Sequence, residues 1–414
     1  MNPKRIISPF TAALLVAIGL LLGIFMGQRN SQLRLFPVSS HQSKVDEIME
    51  QIKANYIEEV NTDSLLDIAL SDVMKSLDPH SSYIPAQKLS AVNEGIEGSF
   101  QGIGVEFSIQ DDSIVVVSPI IGGPSEALGI QAGDRIVTVD GETVAGIGIT
   151  NDLVIKTLRG PKGSTVLVEI FRKGEKELLA FEIERDDIPV NSIETAYMLT
   201  DEVGYIKLSR FASNSYQEFM LAMVKLRNAG MQRLIFDLRG NPGGLLHVCA
   251  GIADELLPEG KLIVYTQGRN RQREDLIAEA GGRFESQGLV ILIDEGSASA
   301  SEIIAGAVQD NDRGTIIGRR SFGKGLVQEP KYMSDGSAIH LTTAKYYTPT
   351  GRCIQKSYDE GLEAYQMEMY QRFENGASEA IDSSLFADSL RFTTPGGKIV
   401  YGGGGIMPDI YVPV

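Results

Sequence analysis

Two short stretches carry the side chains best suited to covalent chemistry. In Gly296-Ser297-Ala298-Ser299-Ala300-Ser301-Glu302, a serine follows the apolar run Leu289–Ile293 and opens a helix-forming stretch, Ala300–Val308. A serine at a strand-to-helix turn is aimed by rigid elements. The helix start adds unpaired N–H groups and a partial positive charge, which is what a tetrahedral oxyanion needs. A hydroxyl is a poor nucleophile unless a base lies within hydrogen-bond reach. Lys324 stands in Ser321-Phe322-Gly323-Lys324-Gly325-Leu326-Val327-Gln328. The flanking glycines permit close backbone approach, and the apolar neighbours can desolvate the amine, lowering its pKa until it serves as a base. Gln328 is a neutral acceptor that can orient the amine without adding a charge that would raise its pKa. On a straight strand the Lys324 and Gln328 Cα atoms lie roughly 13 Å apart, so their contact demands a bend or a helical turn.

Each of these residues also has a plainer reading. Ser299-x-x-Glu302 matches a capping box, so the serine is equally the start of a helix. Ala298, Ala300, Ala305, Gly306 and Ala307 suit close helix packing with no chemical role, and a lysine between glycines is commonly a solvated turn residue. No Gly-x-Ser-x-Gly elbow surrounds Ser299. Of the histidines His41, His80, His247 and His340, only the last two fall in the same α/β region. A third stretch, Arg233–Gly244, is a buried strand running into the glycine turn Gly240-Asn241-Pro242-Gly243-Gly244. Its N–H groups can supply one oxyanion donor and the Ala300 N–H the other. No Gly-Lys-Ser/Thr follows the turn, which excludes a phosphate cradle.

The elements that must position these groups read as follows. Helical spacing runs from Ser43 to about Leu77, broken and N-capped at Asn61-Thr62-Asp63 and ended by Leu77-Asp78-Pro79-His80. From Gly95 to about Arg185 the chain is β-rich, with strands at Val105–Ile109, Ile114–Val117, Arg135–Val139 and Val166–Phe171, a tight turn at Asp140-Gly141, and a helix at Asn151–Leu158. Beyond it, strands Gly204–Leu208, Leu234–Leu238 and Leu289–Ile293 alternate with helices Tyr216–Ala229, the stretch through Leu257, and Ala300–Val308. That alternation predicts a sheet covered on both faces. The acidic stretch 358–390 reads as a surface excursion, and Ile410–Val412 as a last strand.

Composition narrows the function classes. A net charge of −16, without a Lys/Arg-rich run, argues against nucleic acid. Cys249 and Cys353 are too few for a disulfide framework, although they could pair once, and the histidines form no zinc-type pair. Lys4 and Arg5 precede Ile6–Gln28, 23 residues without a charge. About 20 helical residues cross a bilayer core of roughly 30 Å, and flanking positive charge keeps that end cytoplasmic. A single-pass anchor in the inner membrane is expected, with the bulk of the chain in the periplasm or an equivalent extracytoplasmic space; secretion after signal cleavage is the competing reading. The expected partition is an anchor at 1–28, a linker at 29–42, a helical region at 43–94, a small domain at 95–185 and an α/β domain at 186–414.

Together these segments resemble the carboxyl-terminal processing peptidases, the tail-specific serine peptidase family, from about 43 to 357 and again at the C-terminal strand. The resemblance implies Ser299 as nucleophile, Lys324 as general base and Gln328 as the residue that positions the lysine, with no cofactor. Gly243 or Gly244 would form the oxyanion hole with Ala300. It also implies a crotonase-like α/β spiral carrying an inserted PDZ-type domain. Phe100-Gln101-Gly102-Ile103-Gly104-Val105 is similar to a PDZ carboxylate loop, and Pro124–Ile136 to a long PDZ pattern. Gly102, Ile103, Gly104 and Val105 would then bind the terminal carboxylate of a protein with an apolar tail, which adds as a strand to Val105–Ile109. Arg159, after the peptide-binding helix, is a candidate coupling residue. Leu77–Tyr83 resembles the family's segment before its PDZ domain. The alternatives are a PDZ-bearing scaffold without catalysis and an enzyme acting on acyl thioesters. Residues 43–77 could mediate a homo-oligomer or pack on the catalytic domain.

Overall fold

Strand periodicity decides the small domain. In Thr165–Phe171, Val166, Val168 and Ile170 are buried while Thr165, Leu167 and Phe171 face outward, the period of a strand with one covered face. It lies in an antiparallel sheet ordered Val105–Gln110, Ser113–Pro119, Arg135–Val139, Thr165–Phe171, Leu179–Glu184. Ile114, Ile136, Val154, Val168 and Ile183 form its core. The chain enters and leaves this domain through Ser99–Gly102 and Asp186–Pro189, which pair antiparallel as a two-stranded stalk. The computed structural model describes residues 40–374 and 388–413.

The larger sheet runs Ile193–Met198, Val203–Leu208, Arg233–Asp237, Gly288–Ile293, Thr315–Gly318, Ile410–Tyr411. Its first pair is antiparallel and the rest are parallel. Helices Ser215–Asn228, Leu246–Leu256 and Ala300–Asp310 contribute to the apolar core on this sheet. The expected α/β alternation is therefore present. A second sheet was not anticipated: Ala338–Tyr347 pairs with Ser82–Ile84, Leu262–Gly268 and Leu326–Tyr332, and Leu262–Gly268 with Arg271–Ile277. Every residue of Ala300–Asp310 is buried. A Cβ on Gly306 would come within 2.7 Å of Thr348, so the small residues of this helix do serve close packing.

The chain divides into two units, 1–70 and 71–414. In the first, Ser40–Asn55 is helical, and the helix Thr62–Lys75 begins where Asn61 Oδ1 accepts the N–H of Asp63 and Ser64, the expected cap. The anchor at Ile6–Gln28 lies outside the described residues. Among those residues no helix is long and apolar enough to cross a membrane. Within 358–390, Leu362–Glu374 is a helix whose Tyr365 is buried. Cys249 and Cys353 are both free thiols.

The far end of Ala300–Asp310 is held by charge. Arg352, fully buried, donates to Asp310 Oδ1 and Gln309 Oε1, each at 2.7 Å, and to the Tyr401 carbonyl at 2.8 Å. Removing one member strands a buried charge, which costs about 3–5 kcal/mol. Asp310→Ala is expected to destabilise the larger domain by about that amount, read as a lowered denaturant midpoint; an unchanged midpoint would refute the role given to this pair.

Candidate active site

Ser299 occupies φ 54°, ψ −112° at the N-cap of Ala300–Asp310. This is a strained conformation for a side-chain-bearing residue, costing about 1–3 kcal/mol, and such strain collects at functional sites. Small neighbours Ala298 and Ala300, both buried, leave room for the sharp turn. The expected capping box is in place, with Ser299 and Glu302 in reciprocal positions, and Glu302 Oε2 accepts the Ser299 N–H at 2.8 Å.

Glu302 reaches further than its own helix. Oε2 also accepts the Lys324 N–H at 2.9 Å, and Oε1 accepts the Gly323 N–H at 2.7 Å and the Ser321 hydroxyl at 2.5 Å. Because Ser299 and Lys324 donate to one oxygen, their backbone nitrogens are separated by no more than those two bonds laid end to end. Tyr346 adds a second tie, its hydroxyl donating to the carbonyls of Ser299, at 3.1 Å, and of Lys324. Burial pushes the Glu302 carboxyl up to about 7, against the pull of its four hydrogen bonds.

Lys324 is largely buried, and burial lowers its pKa from the ordinary lysine value, with Glu302 and Asp78 opposing. Its amine donates to Gln328 Oε1 at 2.8 Å. The bend that this contact requires is present. The chain is irregular until Leu326, where the strand Leu326–Tyr332 begins, and its register shifts at Val327/Gln328. Ser299 and Lys324 line one cavity of about 590 Å³, together with Gly244, Ala300, Gln328 and Tyr346. His247 and His340 also border it, but neither hydrogen-bonds Ser299. His247 is exposed, and burial pushes His340 down.

The glycine turn packs against Ser299. Asn241 Oδ1 accepts the Gly243 N–H at 2.9 Å, and the Asn241 carbonyl accepts the Ala298 N–H and the Ser301 hydroxyl. Among the described residues the N–H groups of Gly244 and Ala300 meet no acceptor. At Gly243 (φ +102°) a Cβ would lie within 2.9 Å of Ser299 Cβ, Ala300 N and Ala298 O. Sequence reasoning missed the long reach of Glu302, the Tyr346 tie and the Asn241 brace. The capping-box spacing was the one signal pointing at Glu302.

Residues 202–363 match the model of peptidase family S41, and residues 101–183 that of the PDZ domain. A carboxy-terminal-processing protease of Bartonella bacilliformis is 35% identical over 76% of this chain and 72% of its own length. The carboxy-terminal processing protease CtpA of Bacillus subtilis is 34% identical over 85% of this chain and 76% of its own. This chain belongs to the carboxy-terminal processing protease family. The solved photosystem II D1 C-terminal processing protease aligns over 77% of this chain and 91% of its own, at 29% identity and a TM-score of 0.43.

The protease's PDZ domain carries a groove of about 400 Å³ lined by Phe100, Ile103, Val105, Phe107, Val154 and Leu158. Among the described residues Val105–Gln110 has one strand partner, Ser113–Pro119, and its other edge is unpaired. The Ile103 carbonyl accepts Ser125 Oγ at 2.5 Å, and the Gly104 carbonyl accepts the Ile120 N–H at 2.9 Å. In planar trans peptides the N–H groups of Gly104 and Val105 point the opposite way. Gly102 is used in the stalk, paired with Asp186, and does not line the groove. Arg159 pairs with Glu94 of helix Ala86–Glu97 and lies 4.5 Å from the centre of the Phe100 ring.

Gly243→Ala is expected to cut the protease's kcat by about 10²-fold, because ångström shifts of reacting groups cost that much. Gly240→Ala, also at positive φ but with open space for a Cβ, should lose stability without that loss of rate. Similar kcat values for the two variants would refute the close-approach argument.

Proposed function

We propose that the protease cleaves protein chains near their C-termini by serine–lysine chemistry, with Ser299 as nucleophile and Lys324 as base. The carrying observation is the single oxygen of Glu302 that accepts both backbone N–H groups, next to a buried amine held by a neutral amide. Ser299 Oγ attacks the scissile carbonyl as Lys324 Nζ takes its proton. The oxyanion is received by the N–H groups of Gly244 and Ala300, the pair left without acceptors, while the Gly243 N–H is occupied by Asn241. Lys324 passes the proton to the leaving amine, and the C–N bond breaks to give the acyl-enzyme. Water then attacks, losing its proton to Lys324. The acyl–oxygen bond breaks and the proton returns to Ser299.

Tail selection follows from the PDZ groove. A chain end can lay its carboxylate against the N–H groups of Gly104 and Val105 and add as a strand to the free edge, its apolar side chains entering the groove. An internal segment has no carboxylate to offer.

One assay tests both parts. Ser299→Ala and Lys324→Ala should each lower kcat on an apolar-tailed protein by about 10⁴-fold or more with melting temperature retained. C-terminal amidation of the substrate should raise KM about tenfold or more. Turnover surviving in either variant would reject the serine–lysine pair. An unchanged KM for the amide would reject tail recognition by the carboxylate.

A further inference from the structure

The segment Asp78-Pro79-His80-Ser81 has no part in the chemistry described above, yet it touches the residue that orients the base. Gln328 Nε2 donates to the His80 carbonyl. A glutamine amide has an oxygen at one end and an NH₂ at the other, nearly equal in shape, so its partners decide which way round it stands. The His80 carbonyl can only accept. It therefore claims the NH₂ end and leaves Oε1 for Lys324 Nζ. Turned over, the amide would set oxygen against oxygen at His80. It would also donate an N–H into the lone pair with which the amine must take the Ser299 proton.

We propose that the Asp78–Ser81 turn and Tyr365 form a positioning bracket that fixes the orientation of the Gln328 amide and so keeps the lysine lone pair free. The proposal rests on the serine–lysine reading and adds positioning residues to it. Two separate sets of contacts hold the carbonyl. Within the turn, Asp78 Oδ1 accepts the N–H of His80 and of Ser81, both at 2.8 Å. Ser81 Oγ donates to Asp78 Oδ2 at 2.6 Å and accepts the Thr342 N–H at 3.1 Å, which pins the turn to the neighbouring strand. Pro79 restricts the backbone between them.

From the other side, Tyr365 Oη meets His80 Nε2 at 2.7 Å. Gln355 Nε2 donates to the same hydroxyl at 3.4 Å, leaving the phenolic proton for the imidazole. Burial lowers His80 to about 4, so the ring stays neutral beside the lysine. Helix Leu362–Glu374, which carries Tyr365, also grips the residues before Lys324. Arg372 donates to the carbonyls of Ser321 and Phe322, at 2.9 and 3.3 Å. The acidic excursion thus brings a side chain to the back of the active site.

The test measures kcat, KM and melting temperature of the full chain on an apolar-tailed peptide, for Tyr365→Phe, Asp78→Ala and Asp78→Asn. Tyr365→Phe and Asp78→Ala should lower kcat by about tenfold to 10²-fold, with KM within about twofold, since neither residue touches the PDZ groove. Asp78→Asn keeps an acceptor for both N–H groups but loses the charge, and should retain kcat within about threefold of the parent. Wild-type kcat in Tyr365→Phe and Asp78→Ala would overturn the proposal. So would an Asp78→Asn loss equal to that of Asp78→Ala, which would assign Asp78 to its charge instead of its geometry. If Asp78→Ala does not fold, Tyr365→Phe decides alone, having lost one hydroxyl and no packing. Failure of the underlying chemistry is a separate result, turnover persisting in Ser299→Ala.

Discussion

A single buried carboxylate holds the two halves of the proposed catalytic apparatus together. Glu302 belongs to the helix that Ser299 opens, and its oxygens accept N–H groups from both Ser299 and the Gly323-Lys324 segment. Taking a carboxylate out of water is expensive, and its partners offset that cost only when every lone pair is used. Here four donors converge on two oxygens. The gain is geometric: residues far apart in sequence share one oxygen and cannot drift independently. The charge has a second effect, because it opposes the depression of the Lys324 pKa that burial produces. The amine is therefore balanced between a desolvating cavity and a carboxyl whose own ionisation burial also disfavours.

The rest of the molecule reads as support for that arrangement. Ser299 keeps a strained backbone because the helix behind it is wholly buried and anchored at its far end by Arg352. The glycine turn approaches the serine closely because no Cβ intervenes, and Asn241 stitches it to Ala298 and Ser301. The PDZ domain is reached through a two-stranded stalk. Its groove borders a strand edge that has no partner among the described residues, a shape suited to an extended peptide.

How much of this was legible follows from where the information lies. Strands with one covered face, such as Thr165–Phe171, announce themselves by alternation. Buried parallel strands such as Gly288–Ile293 do so by unbroken apolar runs. The sheet around Ala338–Tyr347 was not legible. Five consecutive residues, Ile339–Thr343, are half-buried, so no period emerges, and two of its three partner strands, Ser82–Ile84 and Leu262–Gly268, lie far away in sequence. Ser299, Lys324 and Gln328 could be singled out as side chains of the right chemistry at suggestive junctions. The capping-box spacing pointed to Glu302, but only to its local half. Its reach to Gly323 and Lys324 depends on tertiary folding. The choice between Gly243 and Gly244 rested on which N–H Asn241 consumes. Backbone groups such as the His80 carbonyl leave no trace in residue type at all.

The central claim is that burial holds the Lys324 amine below the ordinary lysine range, so that it can serve as the base. It is tested most directly by following the Lys324 side-chain resonance through a pH titration of the full chain carrying Ser299→Ala. The account predicts a midpoint clearly below 10.5, the ordinary lysine value, moving further down when Glu302 is replaced by Gln. A midpoint at or above 10.5 would mean an ammonium ion faces the serine, and would contradict the account.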